Sequence, residues 1–511
     1  MSMEDMFTWT GRWPTLNAPK KPAMIKLRSP VAIFLALGLT AIHSLTAQEI
    51  FRADWASLSR YKVPDWYRDA KFGIFIHWGV YSVPSFGSEW YPHEMYQKGS
   101  AIYQHHLQTY GPPSQFGYKD FIPLFRAEKF NADQWASLFR RAGARYVVPV
   151  AEHHDGFAMY HTRLSPWNAY NMGPKRDVIG ELAAAVRRQH LVFGLSSHRI
   201  EHWFFLHGGR LFDSDVNDPR YEAFYGPARD EKDSLSPEFM NDWLLRCVEL
   251  VNNYKPQLFW FDWWIEQPAM EPYRKSFASF YYNQGLAWHQ GVVLNYKNKS
   301  FPDSAAVLDL ERGKMAGIRP LPWQTDDAVG YQSWGYVQGE KYKSVQYIVD
   351  ELIDIVSKNG NLLLNIGPRS DGTIPPEQQQ LLLGVGKWLA VNGRAIYGTR
   401  PWKVFGEGPT ENIGGSFIDS KVKGFTAQDI RFTTRGDTLF AIVLVLPLSG
   451  ESIRISNLGA AAGNGSPVRV LLLGSAEKIS WSQEAGALLI RAPRSFPSDH
   501  AAAFQIQLRQ H

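Results

Sequence analysis

From Lys71 to about Tyr397, short apolar runs alternate with amphipathic stretches. The runs are KFGIFIHW (71–78), RYVVPVAEHH (145–154), LVFGLSSH (191–198), QLFWFDWW (257–264), GVVLN (291–295) and NLLLNIGP (361–368). Helical segments with start signals fall between them: Asn131 and Asp133 precede QWASLFRRAG, Ser236 and Pro237 precede EFMNDWLLRCVELVNNY, and Ser344 precedes VQYIVDELIDIVSKNG, which stops at Gly360. Short polar side chains at such starts satisfy the free amides of the first turn. Strand followed by helix, repeated, predicts a mainly parallel sheet covered by helices. The expected architecture is a (β/α)8-like TIM barrel over 48–398. Fewer than eight strands stand out, so the barrel is expected either to hide short strands or to be irregular.

The runs end in polar residues: His77; Glu152, His153, His154 and Asp155; Ser197 and His198; Asp262; and Asn295. In a (β/α) barrel the C-terminal strand ends form the active-site mouth, so these groups are expected to converge. Asp262 is the sharpest case, because FWFDWW sets one carboxylate among five large aromatics, and aspartate is disfavoured both in strands and in unpaired burial.

After Tyr397 the helical periodicity disappears. IRFTTRG, TLFAIVLVLP, SIRISNLG, VRVLLLG and ALLIRAP are short apolar segments separated by Gly, Ser, Asn and Pro, which predicts a C-terminal β-sandwich over 399–511. At the other end, residues 24–47 carry Lys26 and Arg28, an apolar run from Val31 to Ile42 and a more polar stretch ending at Ala47. That is the layout of a signal peptide, too short for a membrane span of about 20 apolar residues. Met24 is then the expected true start, 1–23 an upstream extension, and the product periplasmic or secreted.

Composition alters this picture in three places. The aromatic fraction is 14%, including 19 Trp, and flat ring faces suit both core packing and sugar C–H faces. The net charge of +5 is spread without a Lys/Arg block, which argues against nucleic acid as a partner. The single cysteine, Cys247, lies on the helical stripe Phe239, Trp243, Cys247, Val251 and reads as a core thiol. A homo-oligomer is neither required nor excluded.

Two carboxylates with hydrogen-bonding donors in an aromatic pocket suit glycoside hydrolysis, in which one carboxylate attacks the anomeric carbon and the other protonates the leaving oxygen. Asp262 fits the nucleophile, directed by a stiff strand and shielded by aromatic neighbours. The EHHDG segment with His77 and His198 offers zinc-type ligands. Adjacent histidines on an extended strand point to opposite faces, however, and neither HExxH nor CxxC is present, so no metal is expected.

Several segments make the chain resemble the α-L-fucosidases of glycoside hydrolase family 29: WYRDAKFGIFIHWGVYSVPSFGSEWYPHEMY (66–96), YVVPVAEHHDGFAMYHT (146–162), LFWFDWW (258–264), SWGY (333–336) and NGNLLLNIGPRSDGTIPPEQ (359–378). The resemblance implies a retaining, exo-acting hydrolase of terminal α-L-fucosyl residues, needing no cofactor, with a fucosylated glycan as substrate. It makes Asp262 the nucleophile and Trp260 a pocket wall, places His77, His153 and His154 at the sugar, and has Glu89 and Trp90 closing over it. Its acid/base position falls on Glu311, the only glutamate between Asn295 and SWGY, with Asp309 and Asp303 behind it. Where the family commonly has a further glutamate after the PW pair, this chain has Gln324.

Two departures stand out. A tyrosine frequent in the family near the sugar is replaced in GLSSHRIEHW, where Ser196 is the nearest match and His198, Arg199 and Glu201 could supply replacement contacts. Glycine frequent after the nucleophile is replaced by Trp263 and Trp264, which predicts a reshaped pocket rim and an altered leaving-group or linkage preference. The competing expectations are a non-catalytic fucose- or glycan-binding protein on the same fold, and a retaining hydrolase for a related sugar such as galactose.

Overall fold

The computed structural model describes residues 50–419 and 424–509; the expected upstream extension 1–23 and the expected signal-peptide segment 24–47 lie outside the described residues. Eight parallel strands close a barrel in chain order: β1 Phe72–Ile76, β2 Tyr146–Glu152, β3 Val192–Ser197, β4 Leu258–Phe261, β5 Val293–Tyr296, β6 Val307–Glu311, β7 Trp323–Ala328 and β8 Gly360–Ile366. β8 pairs with β1, with Leu362 opposite Phe72, so no strand edge is left.

β6 (VLDLE) and β7 (WQTDDA) are the strands that apolar runs did not reveal. Both carry carboxylates, and among the described residues only non-helical segments join β5 to β6 and β6 to β7, so neither the apolar run nor the strand–helix alternation marks them. Elsewhere long helices cover the barrel, including Ala132–Arg141, Val178–Arg188, Pro237–Tyr254, Glu271–Ala287, Val345–Ser357 and Pro376–Asn392. The starts read from sequence are real caps: Asn131 accepts from the Gln134 amide, Ser236 from Phe239 and Ser344 from Tyr347. Cys247 is buried in the core face of its helix. Among the described residues no helix is long and apolar enough to cross a membrane.

Phe75, Tyr146, Val148, Leu258, Trp260, Val293, Val307 and Leu363 fill the barrel interior. Beneath the mouth, Tyr67 and Tyr146 both donate to Gln324 Oε1 at 3.0 and 2.8 Å, and Gln324 Nε2 donates to Asp309 at 2.5 Å. Gln324 and Asp309 therefore belong to a polar layer inside the barrel.

The C-terminal part contributes β9 Arg400–Glu407, β10 Ile430–Arg435, β11 Thr438–Val443, β12 Ser452–Ile455, β13 Ser466–Leu472, β14 Trp481–Gln483, β15 Leu488–Arg491 and β16 Ala502–Arg509. They form a five-stranded sheet, in the order β13-β16-β11-β10-β9, and a three-stranded sheet, β12-β15-β14, around a core that includes Phe432, Leu439, Ile490 and Phe504. All pairings in both sheets are antiparallel.

Candidate active site

β4 ends at Phe261, and Asp262 follows at the mouth with its side chain 12% exposed. Its Oδ1 accepts from the Trp263 amide at 2.9 Å and lies 3.5 Å from Lys297 Nζ. Its Oδ2 is 2.8 Å from His198 Nδ1 and 3.6 Å from His154 Nε2. Burial alone would raise the Asp262 carboxyl, but Lys297 and His198 outweigh it and hold the group well below the usual carboxylate range.

Glu311 closes β6 beside it, so the structure brings this pair of predicted carboxylates together. Glu311 Oε2 accepts from Lys297 Nζ and Trp263 Nε1, each at 2.5 Å. Lys297 also reaches Asp326 Oδ2 on β7 at 3.2 Å. The two legs through the shared ammonium, 3.5 and 2.5 Å, cap the separation of Asp262 Oδ1 and Glu311 Oε2 at about 6 Å. The reserve candidate Asp303 is excluded by position: it pairs with Arg319 at 2.7 Å and its side chain is 61% exposed.

Lys297 is the principal residue that the sequence reading missed. It directly follows β5, which runs one residue past Asn295, to Tyr296, and the strand-end argument applied at that boundary would have found it. Burial opposes its charge, yet Asp326, Glu311 and Asp262 raise its pKa well above the ordinary lysine value. With one ammonium among several acids, ionisation of two neighbouring carboxyls is disfavoured. Asp326 is pushed well up by burial and by Asp309, and Glu201 by burial and by the charges of Asp262 and Glu311. Glu201, which sequence could not place, lies 3.5 Å from His154 Nδ1.

The histidines divide into two groups. Asn365 Oδ1 accepts from the His77 amide and lies 2.8 Å from His77 Nδ1, which assigns the proton to Nδ1 and leaves Nε2 as an acceptor for a hydroxyl. His154 Nδ1 faces the His198 carbonyl at 3.0 Å, with the same consequence for its Nε2. His153 Nδ1 is buried without a protein partner. Burial depresses the basicity of all three, so they are neutral hydrogen-bonding groups at neutral pH, with His154 brought down to about 3.

His198 differs. Its Nδ1 donates to Asp262 and its Nε2 takes the Ser196 hydroxyl at 2.9 Å, so both ring nitrogens are engaged and it stands behind the nucleophile instead of contacting the sugar as expected. Trp260 is likewise 1% exposed, a floor under His198 and Lys297 more than a wall. Glu89 is buried, and its Oε2 accepts from Ser333 Oγ, Trp334 N and Gly335 N, which ties its loop to SWGY. Trp90 packs edge-on to Phe205 and tilted over His154 at the rim. Arg199 is structural, bound to Glu152 and Asp242.

The alternation argument about His153 and His154 fails because β2 has already ended at Glu152; their ring centroids are 4.2 Å apart. Donor atoms of His77, His153 and His198, and of His154, His198 and Asp262, lie within 4.8 Å of one another, a spacing a metal ion could use. Binding there would cost His198 its bonds to Ser196 and Asp262, so the arrangement suits hydroxyl recognition better.

The sequence profile of the α-L-fucosidase family matches residues 38–394, and that of the α-L-fucosidase C-terminal domain matches 423–509. The chain belongs to the α-L-fucosidase family. It is 34% identical over 468 residues to the tissue α-L-fucosidase of Mus musculus, covering 88% of this chain and 92% of that one. It is 33% identical over 498 residues to the human tissue enzyme, covering 93% and 95%. A solved Thermotoga maritima α-fucosidase superposes with a TM-score of 0.72 at 32% identity, covering 89% of this chain and all of that one. This fucosidase therefore keeps the barrel and C-terminal sheets of its relatives around a mouth in which one lysine joins the two carboxylates.

Proposed function

We propose that this fucosidase hydrolyses terminal α-L-fucosyl bonds with retention, using Asp262 as nucleophile and Glu311 as acid/base. The observation that carries the reading is the Lys297 bridge. An oxygen-to-oxygen separation of at most about 6 Å is compatible with the roughly 5–5.5 Å of retaining enzymes and short of the ~6.5–9.5 Å that an inverting enzyme needs for its water. Similarity to the Thermotoga maritima enzyme, solved with fucose and with a mechanism-based inhibitor, supports it.

In the first step Asp262 attacks the anomeric carbon, the glycosidic C–O bond breaks, and Glu311 gives its proton to the departing oxygen. Lys297 and Trp263 occupy Oε2, which leaves Oε1 to carry that proton. In the second step water attacks the fucosyl ester, Glu311 takes a proton from it, and Asp262 is released as carboxylate. His77 and His154, each with Nε2 as acceptor, bind sugar hydroxyls, while His198 and Lys297 stabilise the carboxylate as it leaves.

A 2-fluoro-fucosyl fluoride should label the peptide containing Asp262, read by mass spectrometry; a label on another carboxylate would overturn the nucleophile assignment. Glu311→Ala should lose about 10²–10⁴-fold on substrates with poor leaving groups and recover partly with azide, giving a fucosyl azide. Export is inferred from the leader-like segment 24–47 alone. Mature protein in the periplasm or medium beginning after Ala47 supports it, and an intact chain retained in the cell counts against it.

A further inference from the structure

Trp263 and Trp264 do different work. Trp264 packs edge-on against Phe204 with centroids 4.8 Å apart. Trp263 turns its indole N–H onto the Glu311 carboxylate, and its ring lies nearly parallel to that of Phe417, with planes 16° apart and centroids separated by 6.2 Å.

Phe417 comes from the segment joining β9 to β10, outside the barrel. That segment runs alongside the end of β6: Lys314 and Gly415 form an antiparallel bridge, the Phe417 amide donates to the Glu311 carbonyl at 2.8 Å, and the Ile418 amide to Arg312 at 3.0 Å. Arg312 also pairs with Asp419 at 3.3 Å. The anchoring is therefore main-chain, and the phenyl ring is left 51% exposed. Phe417 further holds φ at +54°, a left-handed conformation that a bulky side chain adopts only under strain. A large apolar ring kept half-exposed, in a backbone conformation that favours glycine, and facing the indole that bonds Glu311, is not held there by core packing.

We propose that Trp263 and Phe417 form the leaving-group subsite, binding the apolar C–H face of the sugar to which fucose is attached. The inference rests on the assignment of Glu311 as acid: the acid must touch the glycosidic oxygen, so what lies beyond it is the leaving group. An indole bonded to that carboxylate and a second ring nearly parallel to it supply stacking surface for a pyranose or an aryl group. Binding energy gained there, remote from the reacting carbon, serves to seat the glycosidic oxygen against Glu311. The C-terminal part thus contributes a substrate contact to the barrel, and the bulk of Trp263 directly after the nucleophile selects for a leaving group with a flat apolar face.

The test compares kcat/KM on three substrates: α-L-fucosyl fluoride, whose leaving group is a single atom needing no acid, an aryl fucoside, and a fucosyl disaccharide. Phe417→Ala should lower the disaccharide-to-fluoride and aryl-to-fluoride ratios about tenfold, and Phe417→Tyr should restore them. Equal loss on all three substrates would assign Phe417 a structural role, and unchanged ratios would remove the subsite; either overturns the proposal. Failure of the Glu311 assignment reads out separately, as equal loss by Glu311→Gln on fluoride and disaccharide.

Discussion

At the barrel mouth one ammonium, Lys297, faces three carboxylates, Asp262, Glu311 and Asp326. Where the barrel meets the C-terminal sheet the proportions are inverted: Asp354 is one carboxylate between Lys358 and Arg431, each at 2.7 Å, with Lys314 at 3.8 Å. Both clusters are buried, so neither can use bulk water to settle its charge. The interface surrounds Asp354 with cations, and against the pull of burial it is held down at about 2. Negative charge is in excess at the mouth, so Asp262 remains ionised while Asp326 and Glu201 are forced toward the protonated form. A surplus of cations makes a clamp; a surplus of carboxylates makes a site in which acid and base forms coexist at one pH.

The largest effect expected from this contrast is on stability. Asp354→Ala leaves Arg431 and Lys358 buried without their anion, which costs about 3–5 kcal/mol. Asp262→Ala leaves Lys297 with Glu311 and Asp326 as remaining partners, so it should lower the melting temperature less than Asp354→Ala while abolishing turnover. Thermal melts of the two variants check this, and a reversed order would break the comparison. The pH dependence follows from Asp354. Its folded pKa of about 2 lies below the ordinary aspartate value of 3.8, so its stabilisation is present above that unfolded value and is lost as pH falls toward 2. The stability gap between wild type and Asp354→Ala should therefore shrink as pH falls from 5 toward 2.

Next in size is Lys297→Met, which takes the shared cation from the mouth. Transition-state charge on both carboxylates loses its nearest counter-ion, and kcat should fall by about 10²–10³-fold, as when one electrostatic stabiliser is removed from a closed site. The sign of the pH effect is fixed. Without Lys297 the Asp262 pKa rises, and the nucleophile must be ionised, so the acid limb of kcat/KM should move to higher pH. An unmoved acid limb would show that His198 suffices to hold Asp262 ionised.

The same contrast explains what sequence could and could not show. β1 to β5 and β8 were legible because their interiors are apolar, with polarity confined to the ends. β6 and β7 were hidden because Asp309, Glu311, Gln324 and Asp326 sit on the strands themselves, held by partners from distant parts of the chain such as Tyr67, Tyr146 and Lys297. Asp262 stood out as a carboxylate among aromatics. Lys297 did not, because LNYKNKS looks like a solvated turn until the barrel closes around it. The divergent GLSSH segment was visible as a departure, but its consequence depends on ring direction, which no spacing encodes.

That segment supplies the smallest expected effect. A carboxylate can only accept, so His198 must carry its proton on Nδ1 to serve Asp262, and Nε2 must then accept, which the Ser196 hydroxyl makes possible. Ser196→Ala leaves Nε2 without its donor and removes the preference for that tautomer. The loss is one neutral hydrogen bond, so kcat should fall about 2- to 10-fold with little change in KM, and Ser196→Thr should recover most of it. Unchanged kcat in Ser196→Ala would mean that Asp262 alone sets the His198 tautomer, and the mouth would then depend still more heavily on Lys297.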